Sequence, residues 1–237
     1  MRHPDPASPL LGILRSERPG LSQQAILDEI RRAILSGDVP PGSPIPVDQT
    51  AEVFGVSRIP IRETLKTLIG EGLVEHRPRA GYTVASLTIE EFKEIYVVRG
   101  VLEMAALTAA IGNADDADDR RAECALKALD EALAAKDYQS YQRESREFHF
   151  ALVSAATMPR LLHMIELVWN LTEPIQSMRH ISDAHRAQLH AQHSSMLRAF
   201  VGRDCAGLLV ASRRHLDDLD AVVADLPTQS GLFGPSG

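Results

Sequence analysis

The chain has 237 residues, a hydrophobic fraction of 44%, a charged fraction of 24% and an aromatic fraction of 5%. These values indicate a soluble globular protein with one large or two ordinary domains, and they do not favour an aromatic-rich β-sandwich. The two cysteines lack metal-site spacing, and the apolar run near the start, PLLGIL, is too short for a signal peptide or a membrane span. We therefore expect a cytoplasmic protein with no membrane partner and no disulfide.

The formal net charge of −7 is unevenly distributed along the chain. Residues 1–84 carry ten basic and ten acidic side chains, so the whole acidic excess lies in the remainder. A neutral N-terminal part with a local basic face can bind phosphates, whereas an acidic C-terminal part is repelled by them. This asymmetry predicts two domains with different roles.

The first third of the chain has the pattern of a helix-turn-helix followed by a hairpin. Residues 1–20 are Pro-rich without periodicity and predict a flexible arm. Residues 21–85 predict three helices and two strands: Leu21–Leu35, Pro46–Phe54, Arg58–Gly70 capped by Ser57, and a hairpin made of LVEHR and YTVA around a PRAG turn.

The rest of the chain has a helical pattern almost to its end. After a long helix that starts near residue 88, further helices are predicted at about 115–135, 138–156, 158–178, 182–201 and 204–224. Their short connections favour antiparallel neighbours, so residues 86–226 predict an all-α bundle. The tail, residues 227–237, is disordered by composition.

The third helix carries cations on one face and apolar residues on the other. Arg58, Arg62 and Lys66 follow one another at i, i+4 and i+8. The opposing stripe consists of Ile61, Leu65 and Leu68. This pattern is typical of a DNA-recognition helix that enters the major groove with its N-terminus first. On the pattern alone, a solvated helix face is an equally good interpretation.

The segment GVSRIPIRETLKTLIGEGLVEHRPRAGYTV, residues 55–84, resembles the winged helix-turn-helix signature of GntR-family transcriptional regulators. The following helices resemble the FCD ligand-binding domain of the FadR-like branch. The resemblance implies that Arg58 and Arg62 contact operator DNA and that Gly81 lies in the minor groove. The predicted DNA surface comprises Ser57, Arg58, Arg62, Lys66, Arg77, Arg79 and Gly81.

One position departs from the family pattern. Family members typically carry an arginine that contacts DNA near the start of the second helix, where this chain has Asp48. A carboxylate is favourable at a helix N-terminus but unfavourable beside a phosphate. We therefore expect an operator, or an affinity for it, that differs from the usual one.

Three histidines occupy positions where the FCD family keeps metal ligands: His149, His193 and His215. Imidazoles that converge from separate helices can hold a divalent ion, and zinc or nickel suits them best. Ser145 stands where many relatives have an Asp ligand, so the site lacks one negative charge. The alternative is a metal-free cavity that is lined with hydrogen-bonded histidines and binds an anion.

The effector implied by the resemblance is a small carboxylic acid. Arg99 matches the family's RxxLE motif and could clamp a carboxylate with two hydrogen bonds. On spacing alone, a helical ion pair between Arg99 and Glu103 is an equally good interpretation. His190 and Asn170 are further candidates for effector contacts.

Together these observations predict a regulator, not an enzyme, that binds a palindromic operator as a homodimer and responds to an organic acid. A metal-dependent hydrolase would need a general base beside the metal, and no HExxH motif supplies one. A protein-interaction adaptor that uses the winged domain for a partner protein is the other alternative. Neither alternative explains the whole chain.

Overall fold

The computed structural model describes residues 8–15, 21–78, 81–224, 226 and 232–234. The chain forms two compact units. One holds the chain up to Glu90 together with Asn170–Ile175 and Thr228–Gly237, and the other holds Glu91–Trp169 and Gln176–Pro227. The architecture confirms the predicted fold class: a helix-turn-helix with a small sheet, followed by a helical domain.

The N-terminal unit is built from short helices around one apolar core. The helices are α1 (Pro9–Ile13), α2 (Gln23–Leu35), α3 (Val47–Phe54) and α4 (Arg58–Gly70). Ser22 caps α2, because its side chain accepts a hydrogen bond from the Ala25 amide. Gly55 ends α3 in the left-handed conformation that glycine adopts without strain, at a φ of 63°.

The sheet of this unit has three short antiparallel strands. They are β1 (Pro44–Ile45), β2 (Val74–Arg77) and β3 (Gly81–Val84), and β3 lies in the middle. In the hairpin, Arg77 is opposite Gly81 and Val74 is opposite Val84. Val74 and Val84 are buried in the core, so the inner end of the hairpin is anchored and its other end reaches outward.

The C-terminal unit is a bundle of long helices: α5 (Ile89–Asn113), α6 (Asp116–Ala134), α7 (Tyr138–Ser154), α8 (Pro159–Thr172), α9 (Asp183–Val201) and α10 (Cys205–Ala224). Helix α6 packs on α7 and α9, and α9 packs on α10. Gly100 lets α5 approach α10, because a Cβ there would lie 3.2 Å from Leu216 Cδ1.

Helix α5 is long and apolar enough to cross a membrane, by length and composition alone. The core helix of a bundle has the same composition. This helix buries Phe92 and Leu107, and it also buries an ion pair between Arg99 and Glu103.

The structure differs from the sequence predictions at four places. Within the predicted arm, Pro9–Ile13 form a helix whose Leu10 is buried. The two-residue strand β1 was not predicted. Helix α8 ends at Thr172, and 3-10 turns at Glu173–Ile175 and Ser177–Arg179 replace its predicted last part. Ser57 precedes α4 as predicted, but its side chain accepts no capping hydrogen bond. The remainder of the predicted arm and most of the predicted tail lie outside the described residues, and the predicted domain boundaries stay predictions.

Candidate nucleic-acid interface and candidate metal centre

Helix α4 separates its cationic and apolar faces as the sequence predicted. Ile61, Leu65 and Leu68 are fully buried in the N-terminal core. Arg58, Arg62 and Lys66 are exposed, so their charges face outward as one stripe. Packing of the apolar face therefore orients the basic face without using any of its cations.

Acidic neighbours modify this basic face. Asp48 Oδ1 lies 2.7 Å from Arg58 Nε, and Glu63 Oε1 lies 2.8 Å from Lys66 Nζ. The hydrogen bond to Glu63 raises the pKa of Lys66, so this amine stays charged. Within the described part of the chain, Arg62 forms no ion pair. Arg58 and Lys66 must leave a carboxylate before the nitrogen that faces it can bind a DNA phosphate, whereas Arg62 need not.

Ile59 is a candidate contact that the sequence analysis missed. It follows Arg58 on α4, and it is 71% exposed, although it is a large apolar residue. Apolar side chains on a recognition helix can contact the methyl group of thymine. The sequence could have indicated this exposure, because Ile59 lies outside the apolar stripe formed by Ile61, Leu65 and Leu68.

The hairpin presents a second basic position near a conformationally special glycine. Arg77 is exposed, and its guanidinium lies 3.0 Å from the carboxylate of Glu75. Gly81 has a φ of 84°, which side-chain-bearing residues rarely adopt. Arg79, which was also predicted to contact DNA, lies outside the described residues.

The three predicted metal ligands converge inside the C-terminal unit. His149 comes from α7, His193 from α9 and His215 from α10. All three are buried, and one potential ligand nitrogen from each lies within 4.8 Å of the others. Residues far apart in the sequence therefore form one compact cluster of imidazoles.

The protonation states of this cluster favour a cation. Burial, followed by the charges of neighbouring histidines and Arg99, holds the pKa of each imidazole well below 6.5. The imidazoles are therefore neutral at neutral pH, which is the form that ligates a metal. Among the described residues, His149 Nε2 and both ring nitrogens of His193 have no hydrogen-bond partner. These unpartnered buried nitrogens fit a divalent ion better than a hydrogen-bonded metal-free cavity.

Gln192 fixes the orientation of the third imidazole. Its Oε1 accepts a hydrogen bond from His215 Nδ1 over 3.0 Å, which leaves Nε2 as the nitrogen with a lone pair. Gln192 Nε2 in turn donates to Asp218. Gln192 was missed in the sequence analysis, although it directly precedes His193.

Glu103 is the other residue that the sequence analysis did not assign to this site. Its Oε2 lies 3.9 Å from His149 Nδ1, while Oε1 accepts hydrogen bonds from Arg99 Nε and Trp169 Nε1, each over 2.7 Å. Ser145 is buried and lines the adjacent cavity, as a neutral group. Glu103 therefore brings a buried carboxylate to a site that lacks the usual aspartate.

The candidate effector residues have different surroundings. Arg99 forms the predicted ion pair with Glu103, stacks on Trp169 at 3.5 Å from the ring centroid, and lines the cavity. His190 Nε2 lies 2.7 Å from Asp130 Oδ1, and Asn170 is buried. Neither His190 nor Asn170 lines the cavity.

The cavity beside the histidines is small. Its volume of about 20 Å³ admits a water molecule or an ion but not an organic acid. Ser177 and Met178, from a 3-10 turn, form part of its wall. This turn follows Gln176, which has a φ of 51°. An organic ligand can therefore enter only if part of this wall moves.

Comparison with known proteins identifies both parts of the chain. Residues 22–84 match the bacterial regulatory proteins of the gntR family, and residues 94–218 match the FCD domain. The chain is 31% identical to the uncharacterized HTH-type transcriptional regulator YdhC of Bacillus subtilis (strain 168), over 68% of this chain and 72% of the relative. It is 28% identical to the gluconate operon transcriptional repressor of Bacillus licheniformis, over 84% of this chain and 83% of the relative.

The fold is also similar to that of a solved structure, E. coli McbR/YncC. The TM-score is 0.77 at 23% identity, with 86% of this chain and 98% of the other covered. The two family matches and the two relatives, with the helix-turn-helix and the helical domain described above, agree on a regulator that binds DNA and not on an enzyme. The chain therefore belongs to the GntR family of transcriptional regulators, in the branch whose second domain is an FCD domain.

Proposed function

We propose that the chain acts in the cytoplasm as a homodimer that binds a palindromic operator and is switched by a small carboxylic acid in its FCD domain. The observation that carries this proposal is the orientation of α4. Its apolar stripe is buried in the core, so Arg58 and Arg62 point outward from a rigid element.

The candidate DNA contacts of this unit divide into base contacts and phosphate contacts. Arg58, Arg62 and Ile59 lie in the first turns of α4, the part of a recognition helix that reaches base edges. Ser57, Lys66 and the hairpin residues Arg77, Arg79 and Gly81 are assigned to the DNA backbone and the minor groove.

Helix α5 offers a surface for dimerisation. Val97 and Val101 are one helical turn apart and are 67% and 64% exposed, and Val98 beside them is also exposed. A palindromic operator requires two recognition helices related by a twofold axis, so a second copy of the chain is the partner that fits this face.

The histidine cluster supports a divalent metal, zinc or nickel, held by His149, His193 and His215. Such an ion would supply a positive charge that attracts an acid. Arg99 supplies a second cation at the cavity. Its Nε donates to Glu103, and its two terminal amino groups take no part in that hydrogen bond. Contact with His190 or Asn170 would require a wider opening than contact with Arg99.

A small organic acid is consistent with the chemistry of the cavity. Its walls combine a guanidinium, neutral imidazoles and the indole of Trp169. One relative is a gluconate operon transcriptional repressor, and gluconate is itself a small carboxylic acid. Binding could change the affinity for DNA only through different affinities of the acid for the two states of the protein.

The experiment that tests the DNA surface is selection of genomic fragments with the purified protein at near-physiological salt. We expect recovery of a short palindrome. Replacement of Arg58 or Arg62 by Ala should weaken binding to it by about 5- to 150-fold, equivalent to about 1–3 kcal/mol for a base contact. Arg143→Ala, an exposed arginine on α7, is the control and should leave binding unchanged. Enrichment that survives both α4 substitutions would contradict the proposal.

A further inference from the structure

The ion pair between Asp48 and Arg58 joins the residue that departs from the family pattern to the first residue of the recognition helix. Asp48 Oδ1 lies 2.7 Å from Arg58 Nε. We infer that Asp48 is a specificity-determining residue, which holds the Arg58 guanidinium for reading a guanine and discourages its use on phosphates. This inference rests on the proposed role of α4 in reading DNA.

The fold brings the two residues together through the turn between α3 and α4. Asp48 lies in the first turn of α3, where a carboxylate also interacts favourably with the helix dipole. Gly55 reverses the chain in the left-handed conformation, and Arg58 then begins α4. The carboxylate and the guanidinium are therefore carried by the starts of two packed helices.

Stability of the fold does not account for this pair. The side chains of Arg58 and Asp48 are 64% and 58% exposed. Exposed ion pairs contribute little to folding, because solvent screens them and two side chains must be ordered. We therefore expect the pair to affect DNA binding by Arg58 more than it affects the free energy of folding of the N-terminal unit.

The geometry of the pair restricts how Arg58 can bind. A guanidinium has five N–H donors, and Asp48 Oδ1 approaches the group at Nε as an ion pair, without a hydrogen bond from Nε–H. The carboxylate therefore leaves the N–H groups of the two terminal amino groups available, and these can donate together to O6 and N7 of guanine. A guanidinium without such a partner could turn to a phosphate, which carries no sequence information.

The charge of Asp48 acts in the same direction. A carboxylate near the DNA backbone weakens binding to any duplex, whatever its sequence. Loss of general affinity together with an oriented base contact raises the ratio of specific to non-specific binding. An arginine at this position would instead add general affinity.

The test compares Asp48→Asn with the wild-type protein on two probes. One is the duplex enriched by the wild-type protein from genomic fragments, and the other has the same bases in shuffled order. We expect Asp48→Asn to bind the shuffled duplex more tightly and to lower the ratio of the two affinities by about two- to fivefold, the range that an exposed ion pair can supply. On the shuffled duplex, the slope of log affinity against log salt should steepen by about 0.9, the value for one more phosphate contact.

Two controls isolate the pair. Glu52→Gln removes the same charge from an exposed position one turn later on α3, and it should leave the affinity ratio unchanged. The double variant Asp48→Asn, Arg58→Ala should have the same affinity ratio as Arg58→Ala alone, because the partner of Asp48 is already absent.

The outcomes separate this inference from the proposed function. Equal strengthening on both duplexes would overturn it, since Asp48 would then act only as a repelling charge. The inference would also be overturned if Asp48→Asn lowered the ratio in the Arg58→Ala protein as much as it does in the wild type. A wild-type protein that shows no preference for any enriched duplex would instead overturn the proposed DNA reading, and this inference with it.

Discussion

At the scale of single residues, the histidine cluster depends on groups beyond its three imidazoles. Glu103 Oε2 lies 3.9 Å from His149 Nδ1, whereas Ser145 supplies no charge. The carboxylate is too far away for a hydrogen bond, but a buried negative charge beside a ligating imidazole increases its basicity and its attraction for a cation. Glu103 thus supports the proposed metal site through its charge.

Glu103→Gln should therefore weaken the binding of zinc to the metal-free protein by about 10- to 100-fold. The measurement is competition with a chromophoric chelator at pH 7. Glu147→Gln, an exposed position on α7, is the matched control and should retain the wild-type affinity. His149→Ala should abolish binding. Equal affinities for Glu103→Gln and the wild type would remove Glu103 from the site.

Tyr141 gives a pH-dependent prediction at the same scale. Its hydroxyl is buried without a hydrogen-bond partner among the described residues. Burial raises the pKa of this phenol far above its usual value, although the charge of Arg186 opposes the shift. Above about pH 10 the unfolded chain loses this proton while the folded chain keeps it, so stability falls as the pH rises, by about 1.4 kcal/mol per pH unit.

Tyr141→Phe removes this titration and an unsatisfied hydroxyl. We expect its free energy of unfolding to be at least that of the wild type at pH 8, and the difference to grow above pH 10. Urea unfolding of both proteins at pH 8 and at several pH values above 10 measures the difference. Parallel curves for the two proteins across this range would show that the phenol ionises equally in both states.

At the scale of helices and strands, the sequence predicted the elements that have a periodic apolar pattern and missed those that do not. The 3.6-residue repeat of Ile61, Leu65 and Leu68 predicted α4 and its exposed cations. The two-residue strand β1 carries no periodic signal, because it is defined only by pairing with β3. The predicted continuation of α8 disregarded Pro174, which cannot donate the helical hydrogen bond. Positions matched to a family motif could find the three histidines, but Glu103 and Gln192 join them only through tertiary packing.

The cap of α2 tests the stability of one such element. Ser22→Ala removes the acceptor for the Ala25 amide and should cost about 1 kcal/mol. Hydrogen–deuterium exchange of the α2 amides should become about fivefold faster, because this energy favours opening by that factor. Gln23→Ala, at the neighbouring exposed position, should exchange as the wild type does. Unchanged exchange in Ser22→Ala would show that tertiary packing alone holds the start of α2.

At the scale of the whole molecule, the exposed apolar face of α5 determines the expected assembly. Val97→Asp with Val101→Asp places two charges on the proposed dimer surface, where they would be desolvated and repel their copies. We expect the dimer to dissociate in sedimentation experiments and operator affinity to fall by more than tenfold. Val210→Asp, an exposed apolar position on α10, is the control. Dissociation caused by the control alone would assign the interface to α10.

The small volume of the cavity also affects the speed of regulation. An acid that enters only after part of the cavity wall moves must wait for that opening, however abundant it is. The observed rate of association should therefore rise with acid concentration and then level off at the opening rate. At high acid concentration the response time of such a regulator is therefore a property of its own wall, and further acid changes only how much of the protein has responded at equilibrium.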